Sequence, residues 1–112
     1  MKQSEIWLIN LDPTKGAEIR KTRPAIIVND DSLGKLPLKI IVPITDWKEV
    51  YSIAPWMIKI EPDKSNGLSK ISSADCFQIR SLSKDRFIKK LGSIDIETLN
   101  EIKEAIVKVL DL

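Results

Sequence analysis

A mainly β domain covered by one C-terminal helix is what this sequence predicts, and two observations predict it. Short segments rich in Ile and Val recur between turn signals as far as Ile79, and after Asp95 the apolar period lengthens from two residues to three and four. A sheet followed by an amphipathic helix buries both apolar surfaces if the sheet curls and the helix caps it. We therefore expect a small antiparallel sheet or barrel under that helix.

The elements follow in order. Residues 5–11 form the first strand, which Asp12 and Pro13 stop. Residues 24–28 and 38–44, dense in β-branched side chains, form the second and third. Residues 56–60 alternate, placing Trp56, Ile58 and Ile60 on one face and Met57 and Lys59 on the other. A fifth strand is expected over 74–79. Turn signals separate them at 14–16, 29–34 and 63–67. Pro43 falls inside a strand and has no N–H to give, which predicts a sheet edge or a bulge there. In the helix, Ile96, Leu99, Ile102, Ile106, Val109 and Leu110 make one stripe. Asp95 is the expected N-cap, Glu97 suits the first turn, and Glu104 and Lys108 pair four residues apart.

The 112 residues read as one domain over 1–112, with 43% apolar and 30% charged residues. The single cysteine, Cys76, excludes an internal disulfide and fits a reducing compartment. With no histidine, a Ser-His-Asp triad, a Cys-His dyad and the usual zinc sites are all excluded. The apolar run at residues 6–9 is too short for a leader or a membrane span, so a cytoplasmic protein without membrane attachment is expected.

Net charge is only +2, but it is unevenly spread. Lys15, Arg20, Lys21 and Arg23 face a single acid, Glu18, in the first block. Arg80, Lys84, Arg86, Lys89 and Lys90 face only Asp85 in the second, and the tail beyond residue 92 is acidic. If the fold joins the two blocks, they make a cationic surface for a phosphate backbone; otherwise they are two solvated loops. The segment from Asp12 to Pro24 is long for a strand-to-strand loop. Pro24 holds Arg23 extended at its root, where a planar guanidinium fork would suit a phosphate.

An ordered set of short motifs then marks a family. Glu5-Ile6-Trp7 leads to Leu11-Asp12-Pro13-Thr14-Lys15-Gly16. Glu18, Thr22-Arg23-Pro24, Val42-Pro43-Ile44-Thr45 and Gly67-Leu68 follow. Gln78-Ile79-Arg80, Lys84 with Arg86, and Leu91-Gly92 complete the set before the helix. In that order, over nearly the whole chain, they resemble the MazF/PemK toxins, the endoribonuclease halves of bacterial type II toxin–antitoxin pairs. The resemblance implies an SH3-like β-barrel of the PemK/CcdB type. It implies a homodimer that cuts single-stranded RNA, including mRNA, at short sequences without metal or cofactor. It also implies a MazE-like antitoxin whose flexible tail occupies the RNA groove. Carried over by position, Arg23 and Thr45 would be the catalytic pair, with Glu18 near the scissile phosphate. Thr14, Lys15, Gly16, Gln78, Arg80 and Arg86 would lie along the RNA path. Two positions depart from some members: Ala17 stands where a histidine follows the loop glycine, and Ser83 where an acid lies three residues beyond the second-block arginine, Arg80. Mechanisms needing either group are closed to this chain.

Arginine stays protonated, so the base expected for the RNA 2′-hydroxyl is Glu18, with Arg23 stabilising charge and Thr45 orienting the linkage. Trp47, close behind Thr45, either stacks an unpaired base or simply packs. Trp7 and Trp56 are expected in the core or an interface, and Cys76 as an inert small hydrophobe. Two other functions fit the same resemblance: a non-enzymatic toxin that binds a protein such as DNA gyrase, and an inactive antitoxin- or RNA-binding module. Cleavage specificity would reside in the loops at 29–36, 46–52 and 63–70.

Overall fold

In a computed structural model, which describes residues 1–33 and 35–112, seven strands precede one helix. They are β1 (Glu5–Asn10), β2 (Thr22–Ile27), β3 (Leu38–Asp46), β4 (Met57–Ile60), β5 (Ser72–Asp75), β6 (Arg80–Ser83) and β7 (Phe87–Ser93), followed by α1 (Ile96–Leu110). Every pairing is antiparallel, in the order β4–β5–β3–β2–β1–β7, with β6 also against β3.

Alternation sorts the side chains of β2 and β3 into two cores. Ile26, Val42 and Ile44 meet Leu99, Ile102 and Ala105 of the helix on one side. Ala25, Ile27 and Ile41 meet Ile9, Leu11 and Leu82 on the other. Burying a side chain such as Ile102, which is wholly enclosed, contributes about 1.5–3 kcal/mol. Trp7 lies against the second core, edge-on to Phe87 with ring centres 5.9 Å apart, and its indole N–H donates to Glu5. Asp95 caps α1, its carboxylate accepting the Thr98 N–H at 2.8 Å.

The sheet stays open between its end strands β4 and β7. The loop after β4 bridges that gap, the Ser93 N–H donating to the Ser65 carbonyl at 2.9 Å. Two glycines permit the approach. A Cβ on Gly67 would stand 2.2 Å from the Leu91 carbonyl oxygen, and one on Gly92 would stand 2.2 Å from that of Ser65. Gly67 also needs a φ of +70°, which side-chain-bearing residues seldom adopt. Buried Asn66 holds the loop together: its Oδ1 accepts from the Asp63 and Leu68 N–H groups and its Nδ2 donates to the Glu61 carbonyl.

Several expectations need correction. Pro43 is fully buried in an interior strand, opposite Ala25 of β2, not at an edge. It is tolerated because the other side of β3 changes partner there: pairs with β6 end at Ile41 and pairs with β5 begin at Ile44. The strand expected over 74–79 stops at Asp75, whose carboxylate accepts the Phe77 N–H and turns Cys76–Gln78 into a 3₁₀ helix. Trp56 precedes β4 and is half exposed. Strand β6 has Leu82 as its one apolar residue, and β7 is interrupted by Lys89 and Lys90, so neither reads as β from apolar pattern. The helix stripe is narrower than expected, leaving Ile96 65% exposed and Leu110 51%. The turn expected at 29–34 contains a 3₁₀ turn at Asp31–Leu33, and Gly34 lies outside the described residues.

Candidate functional site

The register of β2 on β3 pairs Ala25 with Pro43, and continuing it two residues sets Arg23 opposite Thr45 at the ends of both strands. Both side chains are partly buried. They line one cavity of about 250 Å³, whose walls also include Asp46, Leu68, Lys70 and Leu91. The glycine-bridged loop is therefore one wall, and β2 and β3 are another. Asp46 and Lys70 form an ion pair within the cavity lining, Lys70 Nζ standing 3.0 Å from Asp46 Oδ1. No motif in the sequence singles out this pair, because it joins a strand end to a loop 24 residues away.

The loop between β1 and β2 is closed at its root by the Leu11 N–H donating to the Lys21 carbonyl at 2.9 Å. Within it, Thr14 donates to Asp12 Oδ1. Backbone N–H contact from Lys21 is the leading cause that holds the Asp12 carboxyl below its ordinary range. Glu18 Oε1 accepts the Lys15 N–H at 2.8 Å and so closes the turn over Gly16, which has a φ of +55° and open space around it. Glu18 does not line the Arg23–Thr45 cavity. It lines a second hollow of about 420 Å³ with Gln78 and Arg80.

The two basic blocks meet here. The Gln78 amide grips the loop from both sides: its Oε1 accepts the Ile19 N–H at 2.6 Å and its Nε2 donates to the Ala17 carbonyl at 3.1 Å. Nε2 also donates to Asp75 Oδ2 at 3.3 Å. Burial is the largest influence on that carboxyl and raises its pKa, partly offset by the Phe77 and Gln78 hydrogen bonds. Arg80 donates to the Leu11 carbonyl at 3.3 Å, and Arg86 donates to the Asn10 and Asp12 carbonyls. Three side chains expected along a nucleic-acid path thus also brace the loop that would flank it. Trp47 is partly buried, edge-on to Tyr51 with ring centres 6.0 Å apart, and Lys59 Nζ stands 5.1 Å from its ring centre. Its indole N–H donates to Glu49.

Chemically, the cavity offers a guanidinium, a hydroxyl, a carboxylate and an ammonium around one hollow of about 250 Å³. No helix among the described residues is long and apolar enough to cross a membrane.

Comparison with known proteins adds the family. The chain is 28% identical to the endoribonuclease MazF9 of Mycobacterium tuberculosis over 118 aligned positions, covering 100% of this chain and 98% of that one. Its fold superimposes on MazF from Deinococcus radiodurans with a TM-score of 0.82 at 20% identity, covering 100% of this chain and 97% of that one. It superimposes on an endoribonuclease in complex with its cognate antitoxin from a mycobacterial species with a TM-score of 0.77 at 18% identity, covering 100% and 96%. At those identities the two structures speak for the fold alone. The model of the PemK-like, MazF-like toxins of type II toxin–antitoxin systems matches residues 2–110, and the chain belongs to that family.

Proposed function

We propose that this chain is the endoribonuclease toxin of a type II toxin–antitoxin pair, acting in the cytoplasm on single-stranded RNA such as mRNA. The observation that carries this reading is the shared cavity of Arg23 and Thr45. RNA brings its own nucleophile, so the protein must orient a linkage and stabilise charge rather than attack it. The 2′-oxygen forms a bond to the adjacent phosphorus while the bond to the 5′-oxygen breaks, leaving a 2′,3′-cyclic phosphate and a 5′-hydroxyl. Arg23 meets the charge that gathers on the non-bridging oxygens and gives a proton to the departing 5′-oxygen, which leaves as the hydroxyl. Thr45 hydrogen-bonds a phosphate oxygen or the leaving 5′-oxygen. Glu18, the only acid between Pro13 and Pro24, takes the 2′-hydroxyl proton, which requires that hydroxyl to come within hydrogen-bond reach of Glu18 while its own phosphate is held at Arg23. Thr14, Lys15, Gly16, Trp47, Gln78, Arg80 and Arg86 flank the RNA path.

Two further parts belong to the proposal. The chain works as a homodimer, since exposed apolar side chains such as Ile53 at 84% and Phe77 at 65% offer surface for a second copy. A MazE-like antitoxin blocks the groove with an extended tail.

The test is incubation of the purified protein with a long unstructured RNA in EDTA. Discrete cuts ending in 2′,3′-cyclic phosphate are expected. Arg23→Ala should lower the rate by about 10²–10³ while the protein stays folded. Intact RNA with the wild-type protein would overturn the reading in favour of a toxin that binds a protein target. An unchanged rate and pH profile in Glu18→Gln would remove Glu18 from the chemistry, and a monomer at micromolar concentration by light scattering would remove the dimer.

A further inference from the structure

The Asp46–Lys70 pair lies in the lining of the cavity that holds Arg23 and Thr45, yet no step of the proposed reaction uses it. Both side chains are more than half exposed, at 52% and 65%, so the pair contributes little to stability. What fixes its place is the backbone on either side. Asp46 ends β3 opposite Ser72 of β5, and Lys70 closes the loop that Asn66 and the Gly67–Leu91 contact hold across the open sheet. The Trp47 N–H donates to the Ile71 carbonyl at 3.2 Å, tying the two segments together one residue beyond each charged side chain. Lys70 is thus held beside the cavity by three separate contacts of its surrounding chain, and its ammonium is neutralised there by a carboxylate.

We propose that Lys70 is a phosphate-binding residue of the RNA groove and that Asp46 is its internal counterion, which an RNA phosphate displaces. This rests on the reading of the cavity as an RNA site and deepens it by one contact. In the free protein, Lys70 Nζ bonds both Asp46 oxygens, at 3.0 and 3.1 Å. When RNA enters, a phosphate adjoining the scissile linkage takes the ammonium, and Asp46 turns to solvent. The carboxylate then acts against binding, because part of the phosphate–lysine attraction is spent on separating the resident pair. It also disfavours other anions of low charge density, which do not repay that separation.

The consequence is a pair of opposite effects that are coupled, whereas two charges acting on the RNA independently would give additive ones. The probe is a fluorescein-labelled, mixed-sequence 12-nucleotide 2′-O-methyl RNA, which lacks the nucleophile and is not cut. Its Kd is measured across salt concentrations by anisotropy. Lys70→Gln should weaken binding several-fold at low salt and flatten the slope of log Kd against log salt by about 0.7, the value for one lost contact to a single strand. Lys70→Arg should keep the slope. Asp46→Asn should tighten binding several-fold, and that gain should shrink when Lys70→Gln is added. An unchanged slope in Lys70→Gln, or weaker binding in Asp46→Asn, overturns the proposal. Because the probe cannot react, these outcomes stand apart from the cleavage assay: a wild-type protein that leaves RNA intact removes the enzyme reading, whereas the salt slopes decide the role of Lys70.

Discussion

Arg23 and Thr45 lie two residues beyond the last β2–β3 pair, Ala25 with Pro43, 22 positions apart in sequence, and both line one cavity. On the proposed reaction, that placement would give Thr45 the task of hydrogen-bonding the linkage. It stands at a strand end, fixed on both sides, with Arg23 opposite on β2 and Ser73 paired to it on β5. Thr45→Val keeps the shape and β-propensity of the side chain and deletes only its hydroxyl. Single-turnover RNA cleavage should fall by about 10²-fold, within the range seen when one donor to developing charge is lost. Thr45→Ser should keep most of the rate. Wild-type cleavage by Thr45→Val removes the hydroxyl from the reaction.

Gln78 decides how firmly the loop stands beside that cavity. Its amide closes on the Ile19 N–H and the Ala17 carbonyl, and Asp75 holds the amide from behind. Gln78→Leu leaves both backbone groups without their partner; water reaches the exposed Ala17 carbonyl, so the cost is about 1 kcal/mol, from the part-buried Ile19 N–H. The more selective readout is the Ile19 amide, whose hydrogen exchange should quicken at least tenfold while amides of β2 and β3 keep their protection. Exchange at Ile19 as slow as in the wild type would falsify the clamp.

Gly67 joins stability to the site. Adding a methyl there drives Cβ to 2.2 Å from the Leu91 carbonyl oxygen, which is backbone and cannot swing aside. The φ of +70° adds strain for any residue with a Cβ. Gly67→Ala should lower unfolding stability by about 1–3 kcal/mol in urea, and the cavity wall formed by Leu68 and Lys70 should shift with it. By contrast, Gly16 has a similar φ, but a methyl added there would meet nothing within 4 Å. Gly16→Ala should lose only what the backbone strain accounts for. Equal losses at the two positions would show that the close approach to Leu91 does not matter.

How far the sequence foretells this arrangement depends on where each residue draws its neighbours. Asp95 and the Leu99 and Ile102 positions of α1 are local signals, cap and period, and they are legible within one helix, whereas buried Ala105 falls outside the expected stripe. Arg23 and Thr45 stand out through motifs, and only the β2–β3 register explains why they meet. Pro43 misleads because its cost depends on the partner of β3 at that rung, and no pattern within residues 38–46 records that partner. Gln78, Arg80 and Arg86 are legible as a basic block, but their hydrogen bonds to a loop some 59 to 76 positions away are not. Gly67 and Gly92 each read as ordinary turn or strand glycines. Their function is a mutual approach of two segments, which exists only once the sheet has curled.

Cys76 offers a reporter of the whole fold. It is fully buried at the β5–α1 junction, its sulfur 4.0 Å from the Ala74 and Ile102 carbonyl oxygens. Burial first, and then the charge of Asp75, push its thiol from 9.0 up to about 12. The thiolate is the reactive form, so labelling by a soluble disulfide reagent at pH 8 should be at least 10²-fold slower in the native protein than in urea. The same shift has a signed effect on stability. A thiol whose pKa is raised by folding favours the native state fully below pH 9, and that contribution declines as pH rises from 9 towards about 12, where the unfolded chain releases its proton and the folded chain does not. Cys76→Ala should therefore show a shallower loss of stability over that interval than the wild type, measured as urea midpoints at pH 8, 9 and 10. Parallel pH profiles for the two proteins, or native labelling as fast as denatured, would place the thiol in contact with water.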